Sequence, residues 1–200
     1  MAEQPKSYHH GDLRAALLAA AEDELTDKGM ERFSLRSMAK RAGVSHAAPA
    51  HHFGDVKGLL TALAASGYDR FLATQKARQK SADPDPREQL IQSGLGYIDF
   101  ALAHPALFRL MFGSRWPEGT DPAFKDSADA GFEHLLNNVS AITGGDPEVD
   151  PATQVMVVAA WSTVHGLADL LIGGSPHYLA DTTPEVREAM MREIIGRSLG

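Results

Sequence analysis

The segment Phe33-Ser-Leu-Arg-Ser-Met-Ala-Lys-Arg-Ala-Gly43-Val44-Ser45 limits what this chain can fold into more than any other stretch of it. Ser34 is a capping residue, and Leu35, Met38 and Ala39 give the apolar stripe of a short helix running to Arg41. Gly43 stops that helix, because a residue without Cβ takes the left-handed conformation of a helix end at no steric cost. Ser45 reads as the cap of a second helix. Two short helices parted by a glycine turn of three or four residues have the spacing of a helix-turn-helix. In that motif the second helix protrudes far enough to enter a major groove about 12 Å wide. The N–H groups freed at the starts of both helices suit phosphate oxygens. A helical hairpin inside an ordinary bundle has the same spacing, so the segment alone leaves both readings open.

Helical periodicity continues along the chain, with no alternating β pattern and no internal repeat. Leu13, Leu17, Ala21 and Leu25 recur every four residues up to a Lys28-Gly29 stop. Asp55 caps a long helix through Leu59, Leu60, Leu63 and Phe71 to about Arg78, and Ser81 to Pro86 reads as a linker. Further helices are predicted over 87–103, 105–112 and 121–142, broken at His104-Pro105 and Trp116-Pro117. A Gly/Pro/Asp loop spans Thr143 to Pro151; residues 152–172 form a strongly apolar helix, and Pro184 opens the last one, to about Ser198. The expected fold is all-α. An N-terminal three-helix helix-turn-helix head (1–55) is joined by a long helix (56–80) to a C-terminal helical body (81–200).

Charge sharpens the picture of the head. The net charge is −7, yet residues 1–60 hold 8 Lys/Arg against 8 Asp/Glu, whereas 61–200 hold 11 against 18. Between Lys28 and Lys57, Lys28, Arg32, Arg36, Lys40, Arg41 and Lys57 face only Glu31 and Asp55. A locally basic segment on an acidic body can bind a polyanion that the body repels; it is equally the signature of a solvated charged face. The absence of cysteine excludes a disulfide scaffold, thiolate zinc or iron–sulfur ligation and a cysteine nucleophile. With 44% hydrophobic and 22% charged residues, the composition is that of a soluble globule. No run approaches the ~20 apolar residues of a membrane span. Met1 to Asp12 lacks the apolar core of a secretion signal, so the expectation is cytoplasmic, with no membrane partner.

Four pieces of sequence together resemble the DNA-binding head of the TetR family of transcriptional regulators. They are Tyr8-His-His-Gly-Asp-Leu-Arg14, the Ser34–Ser45 segment, His51-His52-Phe53 and Gly58-Leu59-Leu60. Trp161-Ser-Thr-Val-His165-Gly166-Leu-Ala is similar to the body of a TetR subgroup named for its Trp-His-Gly motif. The resemblance implies a homodimeric regulator of double-stranded operator DNA, usually a repressor released by a small-molecule effector bound in the body. Two positions depart from the family pattern. Ala50 stands where a phosphate-contacting tyrosine is usual, and the family's lysine falls on Val56, with Lys57 one place on. One residue on a helix is a rotation of about 100°, so Lys57 is expected to miss that phosphate and DNA binding to be weaker or differently anchored. Pro49 follows Ser45 by four residues, where a pattern reader expects a break; the subgroup's Ala-Ala-Pro implies a short kinked recognition helix.

The candidate DNA-binding residues are Ser34, Arg36, Lys40, Ser45, His46, Ala47, Ala48, His51, His52 and Lys57. His46 can donate to guanine or phosphate, and Ala47 and Ala48 offer methyl contacts to thymine. His51 and His52 point about 100° apart, so they make no metal pair, and one of them fits a structural role as well as a DNA contact. In the body, Phe108, Met111, Phe112, Trp161 and His165 are candidates for an effector pocket. Core packing explains the same residues, with the imidazole hydrogen-bonded inside, and for Trp161 and His165 that is the favoured reading. Asp146, Glu148 and Asp150 alternate like calcium ligands but lack the glycine and the closing glutamate of such a loop. No phosphate-binding loop, His-Glu-x-x-His or Gly-x-Ser-x-Gly occurs, and Gly94-Leu-Gly96 lacks a third glycine, so no enzyme, cofactor or metal is expected. The last two long helices should pair with their symmetry mates, through glycines 166, 173 and 174 and alanines 159, 160 and 168. The alternative is a helical ligand-binding or scaffolding protein with a degenerate DNA-binding head.

Overall fold

The computed structural model describes residues 10–174 and 176–200, without the side chains of residues 10–12 and 180. Tyr8 and His9 of the N-terminal motif lie outside the described residues. Ten α-helices and one 3-10 turn (Met30–Arg32) account for the described chain: α1 (His10–Lys28), α2 (Leu35–Arg41), α3 (Ala48–Phe53), α4 (Val56–Lys80), α5 (Pro86–Ala103), α6 (Pro105–Gly113), α7 (Pro122–Thr143), α8 (Pro151–Ile172), α9 (His177–Ala180) and α10 (Pro184–Ser198). No strand occurs among the described residues.

The caps explain most of these boundaries. α5, α7, α8 and α10 each begin with proline directly after an acid or threonine, whose side chain accepts hydrogen bonds from the first turn. Asp85 takes those of Arg87 and Glu88, Asp121 that of Phe124, Asp150 those of Ala152 and Thr153, and Thr183 that of Val186. Asp150 is thus a cap, and no cluster of potential metal ligands occurs among the described residues. Gly43 ends α2 with φ +67°, the Gly43 N–H donating to Lys40 O and the Val44 N–H to Ala39 O.

The expected cap at Ser45 is corrected. Residues Ser45–Ala47 form a turn, the Ala48 N–H bonding to Ser45 O, and α3 starts only at Ala48, its N-cap Ala47 making no side-chain bond. Pro49 sets this boundary. It falls in the first turn of α3, where its missing N–H would have had no partner anyway, so no kink is needed.

The larger of two apolar clusters among the described residues runs from head to body with α4 as its spine, and a smaller one joins Leu90, Val139, Val157, Ala160 and Leu199. The first half of α4 buries Leu59, Leu60 and Leu63 with Leu17 and Leu25 of α1 and Met38 of α2; its second half places Phe71 among Tyr97 and Phe100 of α5. The α4–α5 crossing depends on Gly96, since a Cβ there would lie 2.8 Å from Gln75 Cα, a backbone clash no rotamer relieves. α8, with 22 residues, has the length and composition of a membrane span, against the expectation from sequence. Its inner face is nevertheless spent on protein packing: Val157, Ala160, Val164, Leu167 and Ala168 are buried where the helix meets α5, α7 and α10.

Glu24 is the buried charge of the head. It is 1% exposed between α1 and α2, with Lys28 Nζ 2.8 Å and Arg41 Nη2 3.5 Å away. Burial raises its pKa, but the Lys28 hydrogen bond and the two cations outweigh that and hold it below the ordinary 4.5. A depressed carboxylate stabilises the fold fully above pH 4.5 and loses its contribution as pH falls through the lowered value. Glu24→Gln is expected to cost about 1–3 kcal/mol near neutral pH and to flatten the acid limb of melting temperature against pH. An acid limb as steep as the wild type's would show that other carboxylates set it.

Candidate nucleic-acid interface and body cavity

The head presents one exposed polar face. On α2, Arg36 and Lys40 are exposed, while Met38 and Ala39 point into the core, and Ser34 caps the helix through the Ser37 N–H. From the turn and α3, Ser45, His46, Ala47, Ala50 and His51 are exposed, Ala48 and His52 are half-buried, and Pro49 is buried. Ala48 therefore offers less surface than the sequence suggests. The His51 and His52 rings stand 5.9 Å apart at 54°, and His52 lies 6.2 Å from Phe53, whose ring also carries the Arg14 guanidinium at 5.4 Å.

Charge counting overstated the free cations. Lys28 pairs with Glu24, Arg41 pairs with Asp27, and Lys57 lies 3.2 Å from Glu118 in the α6–α7 loop. Arg32, Arg36 and Lys40 make no ion pair among the described residues. Val56, at the family's lysine position, is half-buried against the core; its neighbour Lys57 points to solvent and to Glu118. The Lys57–Glu118 pair is exposed on both sides and contributes little to stability, so its consequence is electrostatic. Glu118→Ala is expected to leave the melting temperature nearly unchanged and to tighten DNA binding severalfold. The log–log salt dependence should steepen by about 0.9 for each further phosphate neutralised. An unchanged slope would mean that Lys57 does not reach DNA.

The body encloses a cavity of about 410 Å³. Tyr68, Phe71 and Gln75 of α4 form one side and Ser93, Gly94 and Tyr97 of α5 another. α6 adds Met111 and Phe112, α7 adds Asp129, Gly131 and Phe132, and α8 adds Ala160, Trp161 and Val164. Phe132 and Trp161, 45% and 41% exposed with rings 5.9 Å apart, mark where it opens. Met111, Phe112 and Trp161 thus stand in the wall. Phe108 and His165 do not. Phe108 is 2% exposed core, and His165 stacks near it at 5.5 Å while its Nδ1 lies 2.7 Å from the Tyr97 hydroxyl. His165 therefore holds a wall residue in place, the role favoured over ligand contact. The α4, α5 and α7 side chains of the wall were not singled out from sequence: Gln75, Ser93 and Gly131 carry no signal within a helix, and Tyr68, Phe71, Tyr97 and Phe132 are aromatics of the kind that pack any core. Burial pushes the Tyr68 hydroxyl up to about 12 and raises that of Tyr97, so both are neutral phenols at physiological pH.

Head and body meet along polar contacts as well as core. The Arg70 guanidinium of α4 donates to both Glu22 carboxylate oxygens on α1 and lies 3.0–3.1 Å from the His104 ring nitrogens at the α5–α6 junction. The Glu118 N–H donates to Thr61 Oγ1 at 2.9 Å.

A half-exposed cationic helix-turn-helix on a helical body with an apolar cavity defines a DNA-binding regulator, and the comparisons agree. Residues 17–63 match the family described as bacterial regulatory proteins, tetR family, and residues 90–194 match the tetracyclin repressor-like C-terminal domain. This chain belongs to the TetR family of transcriptional regulators and is a DNA-binding regulator. A protein of unknown function from Rhodococcus sp. RHA1 is 34% identical over 98% of this chain and 99% of its own, with a TM-score of 0.78. A TetR family transcription regulator from Marinobacter aquaeolei VT8 shares the fold at 22% identity, covering 93% of this chain and 94% of its own (TM-score 0.68). A TetR-like transcriptional regulator from Rhodococcus sp. RHA1 does so at 18%, covering 96% and 98% (TM-score 0.67). Among curated proteins there is no significant match.

Proposed function

We propose that this protein is a cytoplasmic, non-enzymatic homodimeric repressor that leaves its operator when a small molecule fills the body cavity. The observation that carries this reading is the double use of α4: one end is head core, the other is cavity wall. A ligand that shifts the second half must shift the first. Residues 1–55 act as the DNA-binding head, 56–80 as the connecting helix and 81–200 as the effector and dimer body, of the subgroup marked by Trp161, His165 and Gly166. Arg36 and Lys40 bind phosphates, with Ser34, Ser45 and Lys57 beside them. His46, Ala47 and His51 face the groove, flanked by Ala48 and His52. Met111, Phe112 and Trp161 meet the effector, and Phe108 and His165 support them.

The dimer reading rests on the outer face of α8. Val155 and Val158 are 69% and 59% exposed, and Ala159, Ser162 and Gly166 continue the same stripe, with open space where a Gly166 Cβ would stand. Solvent-facing valines on so apolar a helix suit a symmetry mate. Ala160 and Ala168, expected to help there, are buried inside the protomer and take no part.

The test is a mobility shift on the DNA upstream of the protein's own gene, with palindromic and scrambled duplexes as controls. Binding to an inverted repeat with half-sites about 34–36 Å apart supports the reading. A cavity ligand must weaken DNA binding by the factor by which operator weakens the ligand. No binding to any duplex at low salt would replace it with the degenerate-head alternative, which Ala50 and the packed Val56 would then explain.

A further inference from the structure

We infer that the cavity takes an uncharged aromatic molecule of about two or three rings bearing a ring carbonyl or hydroxyl, and that it rejects carboxylates and phosphates; this rests on the effector reading above. About 410 Å³ lies at the small end of the range for drug-sized ligands. Six of the wall residues, Tyr68, Phe71, Tyr97, Phe112, Phe132 and Trp161, are aromatic. Their rings already meet one another edge-on or tilted at 4.8–5.9 Å, the geometry in which another ring is held.

The wall is also electrically neutral. Among the described residues it holds no lysine, arginine or histidine, and both tyrosines are un-ionised. Its one carboxylate, Asp129, is exposed and already paired with Lys125. A buried anion would find no partner here.

One polar feature points inward. Gln75 and Ser93, 6% and 4% exposed, are joined by the Ser93 hydroxyl donating to Gln75 Oε1 at 2.8 Å. The orientation of the amide follows: turned over, its oxygen would face Phe71 O, acceptor against acceptor. Gln75 Nε2 reaches only that carbonyl, at 3.5 Å, and so keeps donor capacity, while Ser93 Oγ keeps its lone pairs. A ligand carbonyl satisfies the first and a ligand hydroxyl the second.

Matched probes of one shape test this by calorimetry on the full chain without DNA: 2-acetylnaphthalene and 2-naphthoate. The ketone is expected to bind at least tenfold more tightly than the carboxylate, and Gln75→Leu to weaken it about tenfold while leaving naphthoate unaffected. Gly131→Leu should abolish ketone binding by filling the cavity. A Cβ at Gly131 meets Tyr68 and Phe71 at 3.8 and 3.9 Å, so Gly131→Ala is accommodated and should weaken binding partially even if the larger variant fails to fold. If naphthoate binds as tightly as the ketone and Gly131 variants remove it, the ligand class is overturned and the effector reading stands. If no probe binds, both fall.

Discussion

Val155→Glu/Val158→Glu is expected to sediment as a 21.5 kDa monomer where the wild type sediments at about twice that mass. Both valines project from α8 into solvent, so the glutamates disturb no core and the helical circular dichroism should survive. Across a two-fold axis, however, four like charges would face one another on a stripe that needs apolar contact. Operator affinity should fall by about a hundredfold or more, because the second head no longer binds as part of the same particle. A variant that stays dimeric would move the interface elsewhere; a monomer that keeps full affinity would show that one head suffices.

Reversing Arg36 and Lys40 to glutamate should be almost as damaging, at any DNA sequence. The two side chains are exposed, free of ion pairs among the described residues, and clear of the buried Met38 and Ala39 between them. Every phosphate left without its cation lowers the slope of log affinity against log salt by about 0.9, so removing both cations from both heads lowers it by about 3.6. At about 100 mM salt the affinity for both palindromic and scrambled duplexes should drop at least a hundredfold. Loss confined to the palindrome would instead assign these residues to base reading.

Much of the architecture was legible because helix ends are written in local chemistry. Ser34 and Asp55 cap and Pro184 opens the last helix where expected, Gly43 turns where only glycine does so freely, and the unpredicted Asp-Pro caps start α5, α7 and α8 within one residue of the expected positions. Ser45 misled because serine before a helix is a cap only if the helix starts there, and Pro49 moves that start downstream. Two of the cations misled because their partners are distant in sequence: Asp27 lies 14 residues from Arg41, and Glu118 far beyond Lys57, whereas Lys28 pairs with Glu24 one turn back. His165 was readable as a core histidine, but its partner Tyr97 was not, since the bond joins α5 to α8. The cavity was half visible. Aromatic residues at helical spacing announce burial, whereas which of them border empty space depends on how four other helices cross.

The length of α4 has a mechanical consequence. Twenty-five residues make a rod about 37 Å long, anchored by Phe71 and Gln75 beside the cavity and tipped by Lys57 at the head. From that anchor to Lys57 is about 21–27 Å of helix, so a tilt of about 5° would sweep the tip by about 2 Å, and in the proposed two-fold dimer the separation of the recognition helices would change by about 4 Å. Against half-sites about 34 Å apart, that is a mismatch of about a tenth of the spacing. In the proposed dimer the two rods would act as calipers, set at the cavity and read at the recognition helices.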